Sequence, residues 1–309
     1  MIRPIEVTVV SGKGGTGKTV LVSSLARLMD SKVMADCDVD APDLHLLLKP
    51  EITRKEAFTG GGVAAVNAAL CTGCGECERR CRFDAMIGYT GHGGVRYRVD
   101  PIACEGCAVC HYACPAGAIE MREKKNGRWF VSKTAFGPFV HACLDPAEEN
   151  SGKLVSVVRK EARLIANSQG LKYIVVDGPP GIGCPVISSI AGAHLVVIVT
   201  EPTVSGIHDC ERVVSLARHF GIPVAGVINK FDINPGVTGE TETFFEEKSV
   251  ALLGKIPFGL EVGSCLAAGT LVVDQEDSKV ARGLRSVGEA LKDVLEGIAS
   301  EAAASKLGN

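Results

Sequence analysis

Three sets of residues in this 309-residue chain have the types and spacing that chemistry needs. The first is Gly12-Lys13-Gly14-Gly15-Thr16-Gly17-Lys18-Thr19, which follows the apolar run Ile5–Val10 and precedes a helical pattern of Leu21, Val22, Leu25, Leu28 and Met29. A glycine-rich turn between strand and helix wraps phosphate oxygens in backbone N–H groups, and the helix N-terminus adds partial positive charge. In such a loop Lys18 reaches the β- and γ-phosphates and the Thr19 hydroxyl takes a place on Mg²⁺. The second set is acidic. Asp36, Asp38, Asp40 and Asp43 follow a short strand expected at Ser31–Asp36, and Asp177 closes the apolar run Tyr173–Val176 ahead of Gly178-Pro179-Pro180-Gly181. Carboxylates at the C-terminal edge of parallel strands face the ligand crevice, where they hold Mg²⁺ or orient water for phosphoryl transfer. Asp177, closing a buried strand, suits the metal, whereas Asp40 and Asp43 also suit helix caps. The third set is Cys71-x-x-Cys74-x-x-Cys77-x-x-x-Cys81 and Cys104-x-x-Cys107-x-x-Cys110-x-x-x-Cys114-Pro115. Identical spacing, 33 residues apart, marks an internal duplication.

The elements that must position these residues are legible as an alternation of strands and helices. Buried strands are expected at Tyr173–Asp177, Leu195–Thr200, Val224–Asn229 and Leu252–Ile256. Helices are expected after Glu148-Glu149-Asn150-Ser151-Gly152, near Ser205–Phe220, Thr241–Lys248 and Ser278–Ile298. That order gives an α/β fold, a mostly parallel sheet with helices on both faces. Between about Val63 and Arg122 the pattern gives way to dense Cys, Gly and short apolar pieces. The chain is therefore divided into a discontinuous nucleotide-binding domain, 1–62 and 123–309, and a small α+β insert, 63–122.

Composition narrows the setting. A formal charge of −3 without a long basic run argues against nucleic acid. No segment approaches the roughly 18 apolar residues of a membrane span, and the N-terminal apolar stretch is too short for a signal peptide. A cytoplasmic location is expected, in which clustered cysteines point to metal rather than disulfides.

Lys13, inside the loop, gives Lys-Gly-Gly-x-Gly-Lys-Thr, which resembles the deviant Walker A of the MinD/ParA/Mrp/nitrogenase-iron-protein class of P-loop ATPases. The resemblance implies ATP/ADP and Mg²⁺ as ligands, with Lys13 reaching the phosphates of a partner's nucleotide in a homodimer or a heterodimer with a paralogue. It places Asp38 in switch I as the residue that positions the attacking water, with Asp36 nearer the Mg²⁺, and the loop after Asp177 in switch II. It also implies that Asn229 reads the adenine edge and that Pro257 and the loop after it frame the base. The lipid-binding tail of MinD itself is not seen at the C-terminus, so no membrane cycling is expected.

The cysteine runs resemble those of bacterial two-cluster ferredoxins, in which the fourth cysteine of each run ligates the other cluster. By that resemblance Cys71, Cys74, Cys77 and Cys114 hold one 4Fe–4S cluster, and Cys104, Cys107, Cys110 and Cys81 the second. Zinc is the competing metal for Cys-x-x-Cys pairs, but it does not account for a repeated four-cysteine order. Arg82 stands where the second run has Pro115. Of the other five cysteines, Cys37, Cys210 and Cys265 read as apolar core. Cys143 and Cys184 fall where the nitrogenase iron protein holds a bridging cluster, which implies a third, intersubunit cluster. The expectation is a dimeric ATP hydrolase that couples nucleotide state to electron transfer or metal-cluster assembly on a redox or metal-cluster partner. The alternatives are an Fe–S carrier of Mrp type and a positioning ATPase with structural or sensory clusters.

Overall fold

The computed structural model describes residues 4–91, 93–146, 148 and 151–307. The chain forms two compact units, one of Met1–Lys55, Trp129–Cys143 and Ser151–Asn309, the other of Glu56–Arg128 and Leu144–Asn150. The second unit is thus wider than the 63–122 stretch expected from composition, because two long strands carry the chain into and out of it.

The nine-stranded sheet runs, in spatial order, β11 (Ala251–Ile256), β10 (Val224–Asn229), β9 (Leu195–Thr200), β1 (Ile5–Ser11), β8 (Tyr173–Pro180), β2 (Lys32–Asp36), β7 (Gly137–Leu144), β6 (Ile119–Thr134) and β3 (Glu51–Val66). From β11 across to β7 neighbouring strands are parallel. Side chains alternate between the two faces of a strand, so each strand feeds two cores. Val7, Val9, Val197 and Val199 face one, which α1 (Lys18–Leu28), α2 (Leu44–Leu48), α9 (Glu261–Ala268) and α10 (Lys279–Leu307) cover with residues such as Leu21, Leu44, Cys265 and Leu284. Val10, Val196 and Ile198 face the other, under α6 (Cys184–Ile190), α7 (Val204–His219) and α8 (Pro235–Glu247). Cys37 and Cys210 are also buried.

Strands β1, β2, β9, β10 and β11 lie within a residue of their expected places, whereas β8 runs on three residues past Asp177 to Pro180 and β7 has no counterpart among the expected strands. Two helices are longer: α8 starts at Pro235, capped by the Asn234 side chain, which accepts from Val237 N–H, and α10 reaches Leu307. Glu149 and Asn150, expected to lead into α5 (Ser151–Gln169), lie outside the described residues. Within the first unit α5 is tied down by charge. Arg159 donates to Glu6 of β1 and to the Ser188 carbonyl of α6, and Arg163 also donates to Glu6. Among the described residues no helix is long and apolar enough to cross a membrane.

In the second unit α3 (Glu76–Arg80), α4 (Val109–Ala113) and the antiparallel pair β4 (Met86–Gly91) and β5 (Gly94–Val99) surround a small core of Ala64, Met86, Tyr97 and Ile119. The duplication is repeated in the backbone. Gly73 and Gly106 sit at φ +74° and +65°, and a Cβ at either would lie 2.3 or 2.2 Å from a carbonyl oxygen, so both positions require glycine. Gly75 and Ala108 cap the two short helices in the same left-handed conformation, and Cys81 and Cys114 end them in matching extended ones.

Candidate functional site

The phosphate-binding loop joins β1 to α1, and Gly17 is the left-handed residue (φ +90°) that turns strand into helix. A side chain there would also strike Asn229, whose Nδ2 lies 2.3 Å from the position of a Cβ. Around this loop opens a cavity of about 930 Å³, walled by Gly14–Val20, Asp38, Pro179, Asn229, Pro257 and the apolar side chains of α2 and α9. Loop, Asp38, Asn229 and Pro257 are therefore brought together. Gly12 and Lys13 are not on the cavity wall.

Behind the loop sits a cluster of charge. Asp36 and Asp177 are register partners on β2 and β8, which delivers two carboxylates to one edge of the sheet. The Lys18 ammonium is 2.5 Å from Asp177 Oδ1 and 3.8 Å from Asp38 Oδ2. Burial works against the charge on Lys18, but Asp177 more than offsets it, so its pKa is held above the ordinary lysine value. Burial, with Asp177 adding to it, pushes Asp36 well above the usual carboxylate range. Burial also lifts Asp38 to about 6, with Lys18 opposing. Asp36 accepts from Asp38 N–H through Oδ1, while its Oδ2 and the buried Thr16 Oγ1 have no hydrogen-bond partner among the described residues.

Orphaned oxygens beside a lysine held by two carboxylates fit a site built for a further cation and phosphate. Among the described residues no three His, Cys, Asp or Glu side chains converge as a closed single-ion cage. Mg²⁺ keeps waters and phosphate oxygens and takes one or two carboxylates, a demand that the carboxylates of Asp36, Asp38 and Asp177 around Lys18 fit. Asp38 lines the cavity, whereas Asp36 and Asp177 lie behind Lys18 rather than on the wall.

Asn229 Nδ2 donates to the Thr16 carbonyl at 2.8 Å and its Oδ1 accepts from Lys230 N–H at 3.0 Å. In this arrangement it braces the phosphate-binding loop. Sequence reasoning missed Glu201, which follows β9 and pairs with both Lys13 (3.3 Å) and Lys230 (2.5 Å). Burial opposes its charge, yet the two lysines hold its pKa below the usual glutamate value. The available signal was its place at the C-terminal end of a buried parallel strand.

In the second unit the eight clustered cysteines line two separate pockets, each with one cysteine from the other run. Cys71, Cys74, Cys77 and Cys114 line one, with Tyr97; Cys81, Cys104, Cys107 and Cys110 line the other, with Met86. The thiols are unpaired. Burial pushes Cys77 up to about 11 and raises Cys110, so neither is a thiolate at neutral pH without a compensating positive charge. Cys114 Sγ accepts from Ala118 N–H at 3.3 Å. Of the other two cysteines singled out by sequence, Cys143 is half-buried and Cys184 exposed, both in the first unit.

Comparison with known proteins places this geometry. Residues 7–272 match the family of CobQ/CobB/MinD/ParA nucleotide binding domains. An uncharacterised protein of Methanocaldococcus jannaschii is 30% identical over 294 residues, spanning 94% of this chain and 98% of its own. The iron-sulfur cluster carrier protein of Aquifex aeolicus is 31% identical over 139 residues, 41% of this chain and 38% of its own. Among solved structures, the cell-division ATPase MinD of Pyrococcus furiosus superposes with a TM-score of 0.57 at 17% identity, covering 94% of this chain and 99% of that one. MinD of Pyrococcus horikoshii, complexed with Mg-ADP, superposes with a TM-score of 0.57 at 18% identity, covering 96% and 98%. With the phosphate-binding loop, the paired strand-end aspartates and a family match across most of its length, the chain belongs to the CobQ/CobB/MinD/ParA family and is a P-loop ATPase of the MinD/ParA type.

Proposed function

We propose that this ATPase is an iron–sulfur protein that couples nucleotide state to electron transfer, or to metal-cluster assembly, on a partner protein. The observation that carries the reading is the crossed arrangement of the thiols: each pocket draws three cysteines from one run and the fourth from the other. Two 4Fe–4S clusters account for that pattern. Zinc, the competing metal for Cys-x-x-Cys pairs, gives no reason for two four-cysteine runs to exchange their fourth members. A cubane carries its thiolates on separate irons and accepts a wider spread. Similarity to the Aquifex carrier points the same way.

At the nucleotide site, Lys18 and the loop amides would hold phosphate, Thr19 and Asp177 the metal, with Asp36 behind them, and Asp38 the attacking water. Lys13 would serve a second subunit, this chain or a paralogue. The second unit is inserted between Asp38 and Asp177 in the chain. Movement of the two switch loops on loss of the γ-phosphate would therefore reach both of its ends.

A positioning role, with clusters that are structural or sensory, is the second reading, favoured by the likeness to MinD structures, one of them in complex with MinC. Anaerobic purification, iron and sulfide analysis, and EPR after reduction, with and without ATP, separate the two. About eight iron atoms per chain, with spectra or partner transfer that respond to ATP and lose that response in Lys13→Ala, support coupling. Clusters indifferent to ATP, ADP and Lys13→Ala leave the positioning role. Release of clusters to an apo-protein would favour a carrier. Iron near ten per chain, falling to eight in Cys184→Ala, would add the bridging cluster at Cys143 and Cys184.

A further inference from the structure

On the reading that Asn229 and Pro257 frame the base, the base end of the nucleotide cavity carries a carboxylate that an adenine reader does not need. The residues after β10 read Asn229-Lys230-Phe231-Asp232. They form a turn closed by Ile233 N–H to the Lys230 carbonyl, with Lys230 in the left-handed region at φ +56°. The turn is fastened to the end of β11. Phe231 N–H donates to the Ile256 carbonyl at 3.3 Å, and Phe258 N–H donates to Asp232 Oδ1 at 2.7 Å. Asn229, Lys230, Ile256 and Phe258 all lie on the cavity wall. Asp232 is therefore held at the rim of the base end by a residue of that wall, and no cation pairs with it among the described residues.

The two purines differ at the edge that such a carboxylate would meet. Guanine presents N1–H and the exocyclic N2–H₂, adjacent donors that match the two oxygens of a carboxylate. Adenine presents a bare acceptor at N1 and no group at C2. A carboxylate has about four lone-pair sites, so the bond from Phe258 N–H orients Asp232 without exhausting it. Asn229 does not discriminate: the second N–H of an amide already bound to the Thr16 carbonyl would serve the N7 acceptor that both purines share. We infer that Asp232 makes this site a reader of guanine nucleotides as well as adenine nucleotides, with GTP as a second substrate of the P-loop ATPase.

Competition binding on the full chain, with Mg²⁺ and fluorescent N-methylanthraniloyl-ADP as probe, tests this. GDP is expected to displace the probe. Hydrogen bonds to a charged group contribute about 1.5–3 kcal/mol, so Asp232→Asn should lower the ratio of GDP to ADP affinity by roughly ten- to a hundredfold. The amide should at the same time gain affinity for XDP, whose C2 carbonyl accepts where guanine donates. GDP failing to displace the probe from the wild-type chain at millimolar concentration overturns the inference. So does an Asp232→Asn chain whose GDP to ADP ratio is unchanged, including the case in which both affinities fall together because the Phe258 loop has shifted. Failure of the probe itself to bind the wild-type chain would instead overturn the nucleotide site on which the inference rests, and the inference with it.

Discussion

Lys13 stands 3.3 Å from Glu201 of its own chain, and Glu201 is shared with Lys230. The lysine expected to serve a second subunit is thus held at home, outside its own nucleotide cavity. Replacing the carboxylate frees it. Glu201→Gln should let ATP-bound chains dimerise at lower protein concentration, by about fivefold or less, since a half-exposed pair contributes about 0–1 kcal/mol. Light scattering across a dilution series with a non-hydrolysable ATP analogue measures the shift; an unchanged midpoint would show that the contact restrains nothing.

Lys18 compensates Asp177, Asp38 and the buried Asp36 in the absence of nucleotide. Lys18→Met keeps the stem and removes the charge. Breaking a buried pair from one side costs about 3–5 kcal/mol, so the variant should melt lower and bind no ATP. The stability loss should shrink in acid, where the carboxylates take up the protons that burial already favours. Thermal melts at pH 5 and pH 8 check this.

Burial raises the Asp38 pKa from the ordinary 3.8 to about 6. The folded chain binds this proton more tightly than the unfolded one, so Asp38 alone makes stability fall as pH rises through that window and leaves it level above. Catalysis runs the other way, because a residue that orients water for proton acceptance must be ionised. The acid limb of kcat/KM should lie near pH 6 and disappear from the residual activity of Asp38→Asn.

His141 supplies the opposite slope. Stacked on Phe130 and Phe139 and bonded to the Ser132 hydroxyl, it is pushed by burial from 6.5 to about 4, with His45 adding to the shift. The unfolded chain takes up this proton first, so stability is complete above pH 6.5 and is lost as pH falls towards 4, by roughly 3 kcal/mol in all. His141→Phe should flatten that loss at a cost of about 1–3 kcal/mol at pH 7, where Ser132 loses its partner. Urea titrations of both chains at several pH values give the difference directly.

Cys81 is the last cysteine of the first run but lines the pocket of the second. Cys81→Ala should therefore perturb the same EPR signal as Cys107→Ala, and Cys114→Ala the same signal as Cys74→Ala. If the pairs divide by sequence neighbourhood instead, the crossed arrangement fails.

Much of this was legible in the chain, for physical reasons. Continuous apolar runs such as Tyr173–Val176 and Leu195–Val199 have few alternatives to buried parallel strands. A loop rich in glycine with Lys18-Thr19 at the mouth of a helix is similarly constrained. The strands that carry the chain into the second unit were not legible. The first turn of β3, Glu51-Ile52-Thr53-Arg54-Lys55-Glu56, is exposed on the edge of the sheet, so no buried face imposes a hydrophobic alternation. α8 was read six residues short because Asn234-Pro235-Gly236 resembles a turn. Asn at the cap and Pro at the first helical position are equally a helix start. Glu201 and the second ring of contacts at Asn229 depend on which strand ends become neighbours, a property of sheet order rather than of local sequence.

The crossed thiols also set an order on biosynthesis. A ribosome that has emitted only the first run has exposed three sulfurs of one pocket and a single sulfur of the other. The pocket that includes Cys81 closes once Cys110 has emerged, and its twin only at Cys114. Neither pocket can be furnished by one half of the duplication alone, so a cluster bound by either would have to wait until cysteines of both runs have emerged.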